Sequence, residues 1–113
     1  MIIEFDKIEE KVNEKFNGGE GYFTARIFND GVNKILMGRL EKNNSIGLHR
    51  HDGTSEIIYV ISGRGIMETD GKEEVLTKGM VTYCEMGHSH TFKNVDDEDL
   101  CFFAVIPNHK AGL

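Results

Sequence analysis

His49 and His51 stand one residue apart in "GLHRHDGTSEIIYVISGRG", Gly47 to Gly65, at the mouth of a run apolar enough to be core. On a strand, residues i and i+2 point to one face and lie about 6.6 Å apart along the chain, so two imidazoles at that spacing can converge on one ion. On a helix they would turn to nearly opposite sides. Asp52-Gly53 then supplies a turn, and Glu56 brings a carboxylate back beside the pair. Farther on, "GHSHTFKN" carries His88 and His90 at the same spacing, and a strand returning there lets His90 complete a set of three imidazoles and one carboxylate. Such a set suits a divalent Zn, Mn, Fe, Ni, Co or Cu ion, with geometry and availability choosing among them. Four protein ligands leave open positions on a five- or six-coordinate ion, where water, dioxygen or a substrate oxygen binds.

These residues need a scaffold of short strands. From Tyr22 onward, runs rich in Ile, Val, Phe, Tyr and Thr are broken roughly every eight to twelve residues by turn clusters such as "NDGVN", "EKNNS", "HDGTS", "SGRG" and "TDGK". Asp70-Gly71 between alternating residues predicts a type I′ hairpin, because both central positions need positive φ. Pro107 stands where the last strand should stop. Many short antiparallel strands in a chain of 113 residues point to an all-β closed sandwich or jelly roll, which protects its edges. Ahead of them, Phe5, Ile8, Val12 and Phe16 fall near helical spacing. Asp6 with Glu9 fits a capping box, and Gly18-Gly19 makes a stop. A short amphipathic helix over Asp6–Phe16 is therefore expected, lying on the core because a helix this short is marginal alone. The expected division is helix and lead-in over 1–21, barrel over 22–107 and tail over 108–113.

Composition narrows the partners. A hydrophobic content of 39% supplies one modest core, and a second domain is not expected. The net charge of −6, with both signs scattered, lacks the clustered Lys and Arg that nucleic acid or an anionic membrane requires. Met1 to Glu10 has neither a basic nor an apolar leader region, and no stretch approaches the ~20 apolar residues of a spanning helix. A cytoplasmic location is expected, with Cys84 and Cys101 reduced and serving as small buried hydrophobes.

The histidine pattern resembles a known family. His49-x-His51-x4-Glu56-x6-Gly63 is similar to the first cupin motif, G-x5-H-x-H-x(3,4)-E-x6-G, and Gly79-x7-Gly87-x2-His90-x3-Asn94 to the second, G-x5-P-x-G-x2-H-x3-N. The resemblance runs from Lys34 to Ile106, with the short intermotif segment Arg64 to Lys78 of small single-domain cupins. Asn43 stands where the first motif opens on Gly, and Glu85 where the second has Pro; both are turn positions, and Asn tolerates left-handed backbone. The resemblance implies a double-stranded β-helix with His49, His51, Glu56 and His90 as metal ligands in its interior. His88 is not a ligand position in the pattern, and His109 falls in the tail.

Two functions fit. One is a metal-dependent enzyme on an oxygenated small molecule, by dioxygen chemistry or by isomerisation or epimerisation through an enediol-like species. The second of these chemistries needs a general base, for which His88, Glu85 and Tyr59 are the candidates. The other is a non-catalytic module that binds or senses a small anion or sugar. Arg26 and Arg39 offer guanidinium groups to an anionic ligand, against outward salt-bridging roles. Met37, Met67, Met80 and Met86 can soften a pocket or fill a core. Along "EIIYVI", an inward Glu56 carries Ile58 and Val60 with it and leaves Ile57, Tyr59 and Ile61 outside. Those three ask for cover by the N-terminal helix or by a second subunit, and a homodimer is expected.

Overall fold

In the computed structural model, which describes residues 1–111, ten strands follow one another through short turns. They are β1 (Lys11–Glu14), β2 (Tyr22–Asn29), β3 (Asn33–Leu40), β4 (Ser45–Arg50) and β5 (Glu56–Ser62), then β6 (Arg64–Thr69), β7 (Lys72–Thr77), β8 (Val81–Cys84), β9 (Ser89–Asn94) and β10 (Leu100–Pro107). A six-stranded sheet in the order β1-β2-β3-β10-β5-β8 faces a four-stranded sheet in the order β4-β9-β6-β7. The pairing is antiparallel throughout. This is the expected all-β jelly roll, the double-stranded β-helix.

Period-two alternation sorts each strand between core and surface. Ile58 and Val60 are buried with Glu56, while Ile57 and Tyr59 are exposed. The same alternation on β3 turns Leu36, Gly38 and Leu40 inward. Gly38 is required there, because a Cβ would stand 2.6 Å from the Phe102 ring. Phe102 fills the space, stacked on Phe23 at 5.9 Å and edge-on to Phe92 at 5.2 Å between centroids. Each fully buried side chain of this kind contributes about 1.5–3 kcal/mol. Asn94, fully buried, donates to the carbonyls of Leu40 and Glu98, both at 2.8 Å, and so ties β9 to β3 and the β9–β10 turn.

The turn chemistry follows the sequence. Asp70 and Gly71 carry φ of 51° and 83° in a two-residue hairpin between Thr69 and Lys72. Asn43, in the place of the first motif's opening Gly, has φ 65°.

The N-terminus does not form the expected helix. Phe5–Lys7 is a single 3-10 turn without a side-chain cap bond, Lys11–Glu14 is strand β1 on the edge of β2, and Phe16–Gly18 is a second short turn. The β2 edge offers a row of unpaired backbone groups, and pairing with it outweighs an isolated helix of three turns containing Val12 and Asn13. The apolar residues that suggested helical spacing serve two faces: Phe5 packs outside against Phe103, and Phe16 inside against Phe23. Arg26 holds the segment by donating to the carbonyls of Phe5 and Ile8. At the other terminus, Asn108 bridges to Thr54 and donates to Gly31, while residues 112–113 of the tail lie outside the described residues.

Candidate metal centre

One extra residue in β4 makes the centre possible. Ser45 and Ile46 pair with Lys93 and Phe92, but His49 pairs with His90, so a bulge at Gly47-Leu48 shifts the register by one. The shift swaps the alternation: Ile46 faces in, Leu48 is 67% exposed, and His49 and His51 return to the interior. Gly47 is required, since a Cβ would stand 2.0 Å from the Asn17 carbonyl oxygen. His51 is fixed by two backbone bonds with the β8–β9 loop: its N–H donates to His88 O at 3.0 Å, and Gly87 N–H donates to its carbonyl at 2.8 Å. Glu56 opens β5 on the opposite sheet, and His90 stands in β9.

The four side chains meet at one point. His90 Nε2 lies 3.0 Å from His49 Nε2, 2.9 Å from His51 Nε2 and 2.9 Å from Glu56 Oε1, and all four donor atoms fall within 4.8 Å of one another. The tautomer of His49 follows from its other nitrogen. Nδ1 faces the Gly47 carbonyl at 2.8 Å, which can only accept, so Nδ1 carries the hydrogen and the Nε2 lone pair points at the cluster. Thr54 Oγ1, 2.9 Å from His51 Nδ1, can accept from that ring in the same sense. His90 Nδ1 is buried without a hydrogen-bond partner among the described residues, so this ring is placed by what its Nε2 faces.

Lone pairs converging this closely beside a carboxylate are stable around shared positive charge, which a divalent cation supplies. The donor set therefore fits a transition metal. The electrostatics agree. Burial pushes the His49 imidazole below its ordinary value, outweighing the Gly47 hydrogen bond and favouring the neutral, ligating form. Burial alone would raise the Glu56 carboxyl, but hydrogen bonds from His51 and His90 in their proton-bearing form, and the positive charge those rings then carry, hold it down to about 2. Cys84, opposite Glu56 on β8, is pushed up to about 11, first by burial and then by the Glu56 charge, and stays a thiol.

A cavity of about 290 Å³ opens onto the cluster, at the small end of ligand sites. Its walls are mainly apolar, with Phe23, Leu36, Phe102 and Ile106 prominent, and its polar members outside the cluster are Asn17, Lys34 and Thr54.

Of the residues singled out in the sequence, His49, His51, Glu56 and His90 come together. The weaker candidates do not line this cavity. Tyr59 is on the outer face of the six-stranded sheet, as is Arg39, which pairs with Glu10 at 3.1 Å. Arg26 serves the N-terminal segment. His88 is exposed and paired with Asp70, which raises the imidazole and lowers the carboxyl. Glu85 is exposed, and His109 lies 2.9 Å from Ser55 Oγ. Met67 is core, whereas Met80 and Met86 are exposed. Cys84 is buried and Cys101 half-buried, both free.

Sequence reading missed Lys34. Its signal was parity: it shares the inward row of β3 with Leu36, Gly38 and Leu40.

The Cupin domain model matches residues 36–106. This chain belongs to the cupin family. A relative, the oxalate-binding protein of Thermotoga maritima, is 38% identical to this cupin over 112 residues, covering 94% of this chain and 93% of the relative. The crystal structure of a predicted oxalate decarboxylase from Thermotoga maritima matches with a TM-score of 0.89 at 27% identity, over 96% of this chain and 99% of that one. A sugar phosphate isomerase of the cupin superfamily from Silicibacter pomeroyi matches with a TM-score of 0.78 at 20% identity, over 95% of this chain and 75% of that one. That is a likeness of fold.

Proposed function

We propose that this cupin is a metal-dependent binding protein for a small carboxylate of the oxalate type. His49, His51, Glu56 and His90 hold one divalent transition metal, and the adjoining cavity takes the ligand. The observation that carries this reading is the convergence of three imidazole nitrogens and one carboxylate oxygen within 4.8 Å at the floor of a small cavity. A bound ion supplies a Lewis-acidic position for a ligand oxygen. The protein orients the rings through Gly47 and Thr54 and surrounds the ligand with apolar walls that exclude water. The name of the 38% identical relative supports the choice of ligand.

A catalytic reading of the isomerase type has less support. Proton transfer needs an acid or base beside the ligand, and among the described residues Lys34 is the only titratable one outside the cluster that lines the cavity. Decarboxylation or dioxygen chemistry would use the same cluster. A homodimer through the outer face of the six-stranded sheet is supported by the exposure there of Ile57, Tyr59, Val81 and Tyr83.

Elemental analysis of untagged protein should find close to one transition-metal ion per chain, reduced to background in His49→Ala and His90→Ala. Calorimetry should then show oxalate binding to metal-loaded protein and none after the metal is stripped. A site that no added divalent metal fills, or oxalate binding indifferent to metal, overturns the reading.

A further inference from the structure

We infer that Lys34 is the residue that selects the ligand's charge, so that this protein prefers small dicarboxylate dianions to monocarboxylates. The inference rests on the metal-dependent carboxylate binding proposed above and names the class of ligand within it.

Lys34 continues the inward row of β3, set between Asn29 of β2 and Ile106 of β10. Every other inward residue of that strand is apolar or glycine. A lysine at such a position needs a reason, because an ammonium group beside apolar walls loses hydration unless something anionic meets it. Among the described residues, no carboxylate comes within ion-pair distance of its ammonium, and of the cations without such a partner it is the one that lines this cavity. Lys34 also borders two neighbouring surface depressions, which contain Asp52 and Glu9 respectively, so its side chain sits at a rim from which it can swing over the cavity.

Charge balance then specifies the ligand. A divalent ion combined with the Glu56 carboxylate leaves one net positive charge at the cluster when the histidines are neutral. Lys34 adds a second at the same cavity. A dianion cancels both, and a monoanion leaves one uncompensated in a largely apolar enclosure. The geometry of recognition follows: one carboxylate is taken by the cluster with its ion and the second by the Lys34 ammonium, while the apolar walls pack the short stem between them. The small volume limits that stem to a few carbon atoms at most.

The test is calorimetric titration of metal-loaded protein with oxalate, malonate, acetate and propionate, with metal content and circular dichroism recorded for every variant. Lys34→Met should weaken the two dianions about 10- to 100-fold, the range expected for losing a charged hydrogen-bond partner, and should move the monoanions by no more than about twofold. Lys34→Arg should restore most of the dianion affinity. In the wild type, acylation of Lys34 followed by mass spectrometry should slow on adding oxalate and not on adding an equal concentration of propionate, a readout that needs no variant to fold. Equal loss of dianions and monoanions in Lys34→Met, or no protection of Lys34 by oxalate, overturns this inference while leaving metal-dependent binding standing. Protein that takes up no metal overturns both.

Discussion

Along the inward rows of four strands, the two ends of the barrel differ. On β3 the row runs from Lys34 and Leu36 to Leu40, on β5 from Glu56 to Val60, on β9 from His90 to Phe92, and on β10 from Ile106 to Leu100. Of the first-named ends, Lys34, Leu36, Glu56 and Ile106 line the cavity and His90 joins Glu56 in the metal cluster, whereas Leu40, Val60, Phe92 and Leu100 are almost wholly buried and close the other end. The same alternation and the same antiparallel ladders produce both. What differs is side-chain chemistry. At the closed end apolar side chains, with Asn94 satisfied by backbone carbonyls, fill the space to interior density. At the open end polar groups converge, and the space among them is left for something else. The fold is thus held largely by one end and the function by the other, which allows each to be broken separately.

The largest effect should come from the closed end. Phe92→Ala, which leaves a void beside Phe102, should cost about 3–5 kcal/mol in urea unfolding, with the folded fraction still taking up one metal per chain. Loss of metal in step with stability would show that the two ends are not independent.

Acid should next act through the open end. In metal-stripped protein the Glu56 carboxyl titrates at about 2 against an ordinary 4.5, so the folded state binds fewer protons than the unfolded chain across that interval. Its stabilisation is complete above pH 4.5 and is lost as pH falls toward 2, a difference of about 3 kcal/mol. The depressed His49 adds loss of the same sign as pH falls below 6.5. Stability measured against pH should therefore fall on acidification, and Glu56→Gln should flatten the curve between pH 4.5 and 2. A Glu56→Gln curve as steep as the wild type would move the acid sensitivity elsewhere.

The smallest loss of stability is expected at the hinge between strand register and site. Gly47→Ala forces the Asn17 backbone aside and should cost about 1–3 kcal/mol, the usual range for overpacking. Because the Gly47 carbonyl also fixes the His49 ring, metal affinity measured against a competing chelator should drop by about 10- to 100-fold. Unchanged affinity would mean that the bulge positions β4 without tuning its histidine.

Much of this was legible in the sequence for reasons that can be named. Turn residues with positive φ, as at Asp70-Gly71 and Asn43, are local signals that act within a few residues. The His-x-His pair with Glu56, and His90 a strand later, announced the cluster because metal-ligand chemistry restricts residue type and spacing together. The N-terminus was misread because Phe5, Ile8, Val12 and Phe16 satisfy a helical period while packing on opposite faces of a sheet, and a sheet edge offered by β2 is invisible to a local window. Residue type alone does not separate Lys34 from Arg26 and Arg39, because all three are cations on strands and which of them enters the lumen depends on strand parity.

By itself, then, the sequence determined the all-β class, the positions of the turns and which residues could meet a metal, since all three rest on local backbone preference or on side-chain chemistry. Tertiary structure decided how His49 and His51 come to face inward. Strict alternation from the buried Ile46 would have put Leu48 in the interior and both histidines outside. It is the bulge at Gly47, accommodated by the close approach of the Asn17 turn and set by pairing with β9, that reverses them. Register is a property of two strands together, and no single strand's sequence contains it.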